Sequence, residues 1–286
     1  MKILDTALIR ILERLAQEVK RSATGSQAAG ARKGSLKGGD EEFAEHRPYH
    51  FGDDLRRIDL KPYLRLDELV TKVFARSTAG NVHVMLDTSA SMAAFDSKRV
   101  FALRLAAAMG YLALCSSDRL TVWLLSDGKA LPSPRMDGKQ NIARLVNFLE
   151  GVRFSGRTAI ADSLASSALE IPGRGETVLI SDLCDEGDFI APLRALSARR
   201  WNVSVLHVMD RREYAPEKLG SANLTDVETG ETLDTWLGDE AVSIYRELFA
   251  RRLDRISGQL SSARTSYYPA KTDTELTALI RRTFGL

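Results

Sequence analysis

The sequence predicts an α/β fold, with a doubly wound, mostly parallel sheet that carries helices on both faces. Short apolar runs such as 82–86 (VHVML) and 177–181 (TVLIS) are bounded by polar or glycine residues, which is typical of buried parallel strands. Helix-length segments lie between such runs, and this alternation indicates a parallel sheet covered on both sides. The chain has 286 residues, 44% of them hydrophobic, so it can form one large domain or two modest ones.

From residue 82 onward, strands and helices alternate in the predicted order. The predicted strands are 82–86, 120–126, 177–181, 203–209 and 265–268. The predicted helices are 98–116, 141–150, 159–170, 189–200, 240–261 and 274–283. Segments 223–226 and 231–236 flank Glu228-Thr229-Gly230, and this pattern predicts a β-hairpin before the long helix.

We expect residues 1–80 to form an N-terminal part, made of a helix, a glycine-rich linker and an extended or β segment, and residues 81–286 to form the α/β domain with its hairpin and helix extension. In 1–21, apolar residues recur every three or four positions and predict an amphipathic helix that either packs on its own domain or docks a partner. These residues are Leu4, Leu8, Ile11, Leu15 and Val19. Residues 22–41 hold five glycines and few large apolar side chains, so they are expected to form a loop or mobile linker.

Composition excludes several classes of function. Forty Lys and Arg residues against 38 Asp and Glu leave a net charge of +2, which does not favour nucleic-acid binding through bulk charge. Two cysteines are too few for a disulfide scaffold or a four-thiolate zinc site. Gly25 and Gly30 have phosphate-loop spacing, but the required Lys and Ser/Thr do not follow. No stretch approaches the roughly 18 apolar residues of a membrane span, so a cytoplasmic protein is expected.

Five side chains with oxygen atoms lie just after two predicted strands, 82–86 and 177–181, or just before the predicted helix 159–170. They are Asp87, Ser89, Ser91, Thr158 and Asp182. Because open α/β sheets bind ligands at the carboxyl ends of their strands, we expect these side chains to converge. Mg²⁺ prefers an octahedron of oxygens at about 2.1 Å and retains water, so such a site would leave a position open, with Mn²⁺ and Ca²⁺ as alternatives. The competing interpretation is that Asp87 and Ser89 only cap the next helix.

These five residues resemble the metal-ion-dependent adhesion site of the von Willebrand factor A-like fold. Asp87, Ser89 and Ser91 correspond to its D-x-S-x-S element, and Thr158 and Asp182 to its Thr and Asp elements. The resemblance implies that the hydroxyls bind the cation directly and that the acidic residues act partly through water. An Asp or Glu from a partner would then complete the coordination.

Residues 42–74 resemble the signature of the domain of unknown function 58 family, R-x-Y-x-x-G-D-D-x-R-x-I-D-W followed by A-R and V-x-K-x-F. The corresponding positions are Arg47, Tyr49, Gly52, Asp53, Asp54, Arg56, Ile58, Asp59, Arg65, Lys72 and Phe74. Leu60 and Leu64 replace the usual Trp and Ala. The charged block has two interpretations: an ion-pair and turn network that fastens the N-terminal segment, or a recognition surface beside the metal face.

The resemblance implies a non-enzymatic adaptor that uses Mg²⁺ to engage an acidic residue of a partner. It also implies a MoxR-type AAA+ ATPase as the working partner, in chaperone-like maturation of client proteins or metal insertion into them. Two alternatives remain open. One is a metal-assisted phosphohydrolase, with Asp185, Glu186 or Asp188 as general base, and the other is an interaction scaffold without metal.

Overall fold

The computed structural model describes residues 3–25, 41–48, 58–59, 70–76, 80–171, 175–185, 187–217 and 220–284. Contacts divide the chain into two compact units: residues 1–29 together with 80–286, and residues 30–79. This division differs from the predicted boundary at residue 80 in one respect, since the first helix joins the α/β unit. Its apolar face is buried there, which explains the difference.

The α/β unit contains nearly every element described. Its helices are α1 Thr6–Gly25, α2 Asp96–Cys115, α3 Ile142–Glu150, α4 Ile160–Glu170, α5 Ile190–Ala198, α6 Arg211–Tyr214, α7 Asp239–Ser262 and α8 Leu276–Phe284. The second unit holds strands β1 Glu41–Pro48, β2 Ile58–Asp59 and β3 Val70–Arg76. The strands of the α/β unit are β4 Asn81–Asp87, β5 Arg119–Ser126, β6 Lys129–Pro132, β7 Met136–Asp137, β8 Glu176–Ser181, β9 Asn202–Met209, β10 Gly220–Thr225, β11 Thr232–Leu237 and β12 Ser266–Lys271.

In the central sheet, the first strand in chain order, β4, lies in the middle, and later strands are added on both sides of it. Its strand order is β12-β9-β8-β4-β5-β6, and the pairs among β12, β9, β8, β4 and β5 are parallel. If these six strands are renumbered in chain order, with β4 as the first, and read from the β6 edge, their order is 3-2-1-4-5-6. This is the order of a doubly wound sheet, so the predicted fold class is confirmed. The sequence interpretation missed the antiparallel strands β6 and β7. The turn at Asp127 and Gly128 reverses the chain, so that β6 pairs with β5, and β7 also pairs with β5.

Helices cover both faces of this sheet. Because side chains alternate along a strand, Val84 and Leu86 of β4 join one apolar core while Met85 joins the other. Helices α1, α2, α3 and α8 contribute to the first core, and α4, α5 and α7 to the second. Across the described helices, length and apolar content never combine to the degree that crossing a bilayer requires.

Helix α2 is buried on nearly all sides because α1 packs over it from outside. The buried side chains of α1 include Leu8, Leu12 and Leu15, and Asp5 forms an ion pair with Arg104 of α2 at 2.8 Å. Of the two interpretations of the amphipathic helix, packing on its own domain is therefore the observed one. The helix also continues to Gly25, so the prediction of a linker over 22–41 is wrong at its start. At its other end, residue 41 begins β1, and 26–40 lie outside the described residues.

The second unit is a three-stranded antiparallel sheet of order β1-β3-β2, which confirms the predicted extended segment. Arg47 of β1 pairs with Thr71 of β3, and Asp59 of β2 pairs with Val70. A register shift between Phe43 and Glu45 marks a bulge in β1. The other signature residues with a predicted role lie outside the described residues: Tyr49, Gly52, Asp53, Asp54, Arg56 and Arg65.

Candidate functional site

The loop that follows β4 fixes the carboxylate of Asp87. The backbone N–H and hydroxyl of Thr88 both donate to the carbonyl of Leu125 on the neighbouring strand, at 2.9 and 3.0 Å. The backbone N–H and hydroxyl of Ser89 donate to Oδ1 of Asp87, at 3.0 and 2.7 Å. The loop therefore turns back on the end of its own strand and holds Asp87 in place.

A second loop brings Thr158 to this position. The N–H of Ala90 donates to the carbonyl of Gly156 at 3.0 Å, which joins the two loops directly. Gly156 has φ of +86°, and a Cβ there would lie 2.4 Å from Oδ2 of Asp127. Any other residue would be strained and would clash, so this glycine is required for Thr158 to reach Ser91.

Three hydroxyls form a continuous chain across the two loops. Oγ of Ser89 lies 3.0 Å from Oγ of Ser91, which lies 3.1 Å from Oγ1 of Thr158. The hydroxyl of Ser89 donates to Asp87, and that of Thr158 donates to the carboxylate of Glu228. The hydroxyl of Ser91 is close enough to Asp182 to help lower the pKa of that carboxyl, so the space between the three oxygens is rich in lone pairs and poor in protons.

The carboxylate of Asp87 is buried without a cationic neighbour among the described residues. Its residue is 1% exposed, and its Oδ2 accepts a hydrogen bond from Ser181 at 2.7 Å. Burial, and then repulsion by the charge of Asp182, raise the pKa of Asp87 to about 7. Hydroxyl and amide donors alone therefore offset its negative charge.

Asp182 lies next to this cluster and has a cation of its own. It is 3% exposed; its Oδ2 accepts from Nζ of Lys98 at 2.7 Å and its Oδ1 from the N–H of Cys184 at 3.0 Å. Burial would raise the pKa of Asp182, but the Lys98 ammonium outweighs it and holds that pKa below the ordinary value. Lys98, itself 1% exposed, also donates to Oε1 of Glu213 at 2.6 Å. These two carboxylates keep the pKa of Lys98 above its ordinary value despite burial.

A capping box places Glu213 opposite Lys98. The side chain of Asp210 accepts from the N–H of Arg212 at 3.1 Å at the start of α6. Oε2 of Glu213 accepts in return from the N–H of Asp210 at 2.6 Å. Because this box fixes one oxygen of Glu213, its other oxygen is held toward Lys98.

The structure thus brings the five predicted site residues to one edge of the sheet. Asp87, Ser89, Ser91 and Thr158 form one hydrogen-bonded chain, and Asp182 lies close enough to raise the pKa of Asp87. Within the described part of the chain, His, Cys, Asp and Glu side chains form no group of three or more arranged to hold a metal. A cation at this edge would therefore depend on the hydroxyl ligands.

The sequence interpretation missed four side chains that complete the arrangement. They are Lys98, Ser181, Glu213 and Glu228. Ser181 had a local signal, because it is the last residue of the strand before Asp182. The other three resemble ordinary solvated charges of helices and a hairpin, and only the tertiary fold brings them to the site.

Two acidic residues considered as general bases cap helices. Oδ2 of Asp185 accepts from the N–H of Ala161 in the first turn of α4, at 2.8 Å. Oδ1 of Asp188 accepts from the N–H groups of Ile190 and Ala191 at the start of α5, at 3.1 and 3.2 Å. Glu186, the third candidate, lies outside the described residues.

The sequence profile of a family described as "Protein of unknown function DUF58" matches residues 45–255. This chain belongs to that family. Among DUF58 relatives, an uncharacterised protein of Mycobacterium tuberculosis is 30% identical over 281 residues, covering 91% of this chain and 86% of that protein. An uncharacterised protein of Mycobacterium bovis matches with the same identity and coverage.

Solved structures resemble this DUF58 chain at low sequence identity. BatB from Bacteroides thetaiotaomicron matches with a TM-score of 0.47 and 18% identity, covering 72% of this chain and 96% of that one. An aerotolerance-related membrane protein from Bacteroides fragilis gives 0.46 and 18%, with 72% and 97% coverage. A von Willebrand factor A domain gives 0.38 and 10%, with 72% and 95% coverage. The α/β unit of the DUF58 chain has a doubly wound sheet, as its strand order shows.

Proposed function

We propose that this DUF58 protein is a non-enzymatic adaptor that holds a divalent cation, Mg²⁺ in the first instance, and uses it to engage an acidic side chain of a partner protein. The observation that carries the proposal is the buried carboxylate of Asp87, which has only hydroxyl and amide donors around it within the described part of the chain. A buried charge without a counter-ion is costly, and a cation at this edge would relieve that cost.

The spacing of the hydroxyl oxygens supports a small, hard cation. In an octahedron with metal–oxygen distances of about 2.1 Å, neighbouring ligand oxygens are about 3.0 Å apart. The two separations along the chain Ser89–Ser91–Thr158 are 3.0 and 3.1 Å. Both exceed the 2.7–2.8 Å most common for hydroxyl hydrogen bonds, so the oxygens are spaced as adjacent ligands would be.

The residues divide into two roles toward such a cation. Ser89, Ser91 and Thr158 would be the direct ligands through their lone pairs. Asp87 and Asp182 would contribute charge or act through water, as the resemblance to the metal-ion-dependent adhesion site implies. When bound, the cation would supply an electropositive point with an open coordination position, and a carboxylate from another molecule fits that position.

The partner we propose is a MoxR-type AAA+ ATPase in the cytoplasm, with chaperone-like maturation of client proteins or metal insertion into them as the joint task. Family membership supports this proposal. In such a pair the ATPase would hydrolyse the nucleotide, and the adaptor would select the client.

Cation binding is tested by titrating Mg²⁺ and Mn²⁺ into the full chain in a calorimeter. We expect one site that is lost in Asp87→Asn and in the double variant Ser89→Ala with Ser91→Ala. Asp137→Asn is the matched control, because Asp137 is 52% exposed, forms an ion pair with Arg135 and lies beside Arg119, at the end of β5 away from the site. Wild type that binds no divalent cation, or an Asp87→Asn variant that binds as wild type does, would overturn the proposal.

Partner binding needs a test that keeps Mg²⁺ constant, because an ATPase requires Mg²⁺ for its own nucleotide. The purified chain is immobilised and the MoxR-type ATPase from the same genome is passed over it in Mg²⁺ buffer. We expect Asp137→Asn to retain the ATPase, and Asp87→Asn and the double serine variant to lose it. Equal retention by all the variants would reject the metal bridge.

A further inference from the structure

The turn of the β10–β11 hairpin places an acidic side chain directly on the candidate cation site. The two carboxylate oxygens of Glu228 accept from the N–H of Thr158 at 3.0 and 3.1 Å. Glu228 also accepts from the hydroxyl of Thr158, the same hydroxyl that lies 3.1 Å from Ser91. A carboxylate of the chain itself therefore contacts a residue that we propose as a direct metal ligand.

The hairpin turn is built to project this one side chain inward. Oδ1 of Asp226 accepts from the N–H groups of Glu228 and Thr229, at 2.7 and 3.1 Å. These amides hold the pKa of Asp226 below its ordinary value. Gly230, with φ of +74°, completes the reversal. Glu228 is half-buried, while the turn residues on either side of it are exposed.

We propose that Glu228 is an internal ligand of this site. It would occupy the coordination position that the proposed function assigns to the acidic residue of a partner. This inference rests on the proposed function, because it presumes a cation among the three hydroxyls. It adds a specific consequence: the partner must displace Glu228, so the hairpin regulates access to the cation.

The hairpin is suited to such displacement. Apart from its turn, it presents exposed side chains, including Leu233 and Trp236, which are 63% and 70% exposed. A two-stranded hairpin gains little stability by itself, so its position depends on the contacts that it makes with the body of the protein. The contact of Glu228 with Thr158 is one of these, and a competing carboxylate would replace it with an equivalent contact at the cation.

The test uses Mn²⁺ as the probe, with the wild-type chain and three variants. Glu228→Gln removes the charge of the internal ligand. Glu231→Gln, at an exposed position of the same turn, makes the same chemical change and is the matched control. Asp87→Asn reports on the proposed function. Free Mn²⁺ is measured by electron paramagnetic resonance, and the water bound to Mn²⁺ by water-proton relaxation with and without acetate.

We expect Glu228→Gln to bind Mn²⁺ roughly tenfold more weakly than wild type and Glu231→Gln to bind as wild type does. In Glu228→Gln the bound Mn²⁺ should carry one more exchangeable water, because the vacated position is filled by solvent. Acetate should displace that water in Glu228→Gln and have little effect in wild type. Mn²⁺ should also slow amide exchange across residues 220–237 in wild type and not in Glu228→Gln.

Two outcomes overturn the inference, and they are distinguishable. If Asp87→Asn abolishes Mn²⁺ binding while Glu228→Gln and Glu231→Gln match wild type in affinity and bound water, Glu228 only caps the loop before α4. The proposed function then stands without an internal ligand. If wild type binds no Mn²⁺, the proposed function fails and the inference fails with it.

Discussion

Asp87 and Asp182 lie at the carboxyl ends of neighbouring parallel strands, and both are buried, yet their surroundings are opposite. Asp182 forms an ion pair with Lys98 at 2.7 Å, and Lys98 is shared with Glu213. Among the residues that the structure describes, Asp87 accepts hydrogen bonds only from the hydroxyls of two serines and one amide. The pKa of the same residue type is therefore shifted in opposite directions at two adjacent strand ends: that of Asp87 is raised and that of Asp182 is lowered.

This difference indicates that the two carboxylates at this edge of the sheet have different electrostatic roles. The protein supplies its own cation, Lys98, to one carboxylate and leaves the charge of the other to be offset by a ligand or a proton. An internal lysine also limits how many uncompensated charges the apo protein buries. Lys98 should therefore be needed for stability, and the charge of Asp87 should not.

The largest effect is expected from Lys98→Met. Removing the ammonium leaves Asp182 buried and unpaired beside Asp87, so we expect the free energy of unfolding to fall by about 3–5 kcal/mol in urea titrations. Arg99→Met is the control, because its pair with Asp96 is on the surface and should change stability by less than about 1 kcal/mol. Adding Asp182→Asn to Lys98→Met should recover part of the loss. A Lys98→Met variant as stable as Arg99→Met would show that Lys98 is not needed to balance Asp182.

His83 shows what burial alone does to a titratable group in the same strand as Asp87. Its Nδ1 accepts from Nε1 of Trp123 at 2.8 Å, and burial lowers the pKa of His83 to about 4. The unfolded chain binds a proton at His83 near pH 6.5, whereas the folded chain binds it only near pH 4, so the contribution of His83 to stability is complete above pH 6.5. As the pH falls from 6.5 to 4, this contribution should be lost, by up to about 3 kcal/mol.

The measurement is the free energy of unfolding at intervals from pH 7.5 to pH 4. His83→Asn keeps an acceptor near Trp123 and removes the titration, so the difference in pH slope between the two proteins isolates His83. Parallel slopes would mean that His83 is protonated as easily in the fold as in the unfolded chain.

Asp87→Asn and Asp182→Asn should change stability in opposite directions in metal-free buffer. Removing the uncompensated charge of Asp87 should raise the free energy of unfolding by about 1–2 kcal/mol. Removing the partner of Lys98 should lower it by about 2 kcal/mol, since a buried ammonium loses one of its carboxylates. Thermal unfolding of the two variants side by side measures both, and a loss of stability in each would remove the contrast between the sites.

Mg²⁺ sharpens this contrast. At a concentration 100 times the dissociation constant, a ligand that binds only the folded state stabilises it by about 2.7 kcal/mol. Wild type should gain stability on this scale, and Asp87→Asn should gain none. An equal gain in both proteins would place the cation elsewhere.

The sequence predicted the sheet well because its signals are local. Apolar runs and turn residues mark β4 and β8 within a few positions, and the rule that ligands lie at strand ends then brings Asp87 and Asp182 together. The missed strands β6 and β7 lie on the edge beside β5, where burial is partial and the apolar pattern is weak. The fold class was therefore predictable, while the antiparallel edge was not.

The charges of the site were beyond the reach of local patterns. Lys98 reads as a surface lysine in the first turn of a helix, and its burial follows only from pairing with residues 84 and 115 positions away. Glu228 reads as a hairpin turn residue, and its contact with Thr158 spans 70 positions. The spacing of apolar residues cannot predict such pairs, because they depend on how the hairpin and α6 pack at the end of the sheet.

The smallest effect is expected where the same pairing occurs on the surface. Arg281 of α8 pairs with Glu18 of α1 at 2.8 Å, and both side chains are close to half exposed. Water already screens these charges, so Glu18→Gln should lower the free energy of unfolding by no more than about 1 kcal/mol, and less in high salt. Urea titrations at low and high ionic strength measure this directly. A loss as large as that of Lys98→Met would mean that ion pairs in this protein stabilise regardless of burial, and the contrast between Asp87 and Asp182 would then need another cause than the presence of Lys98.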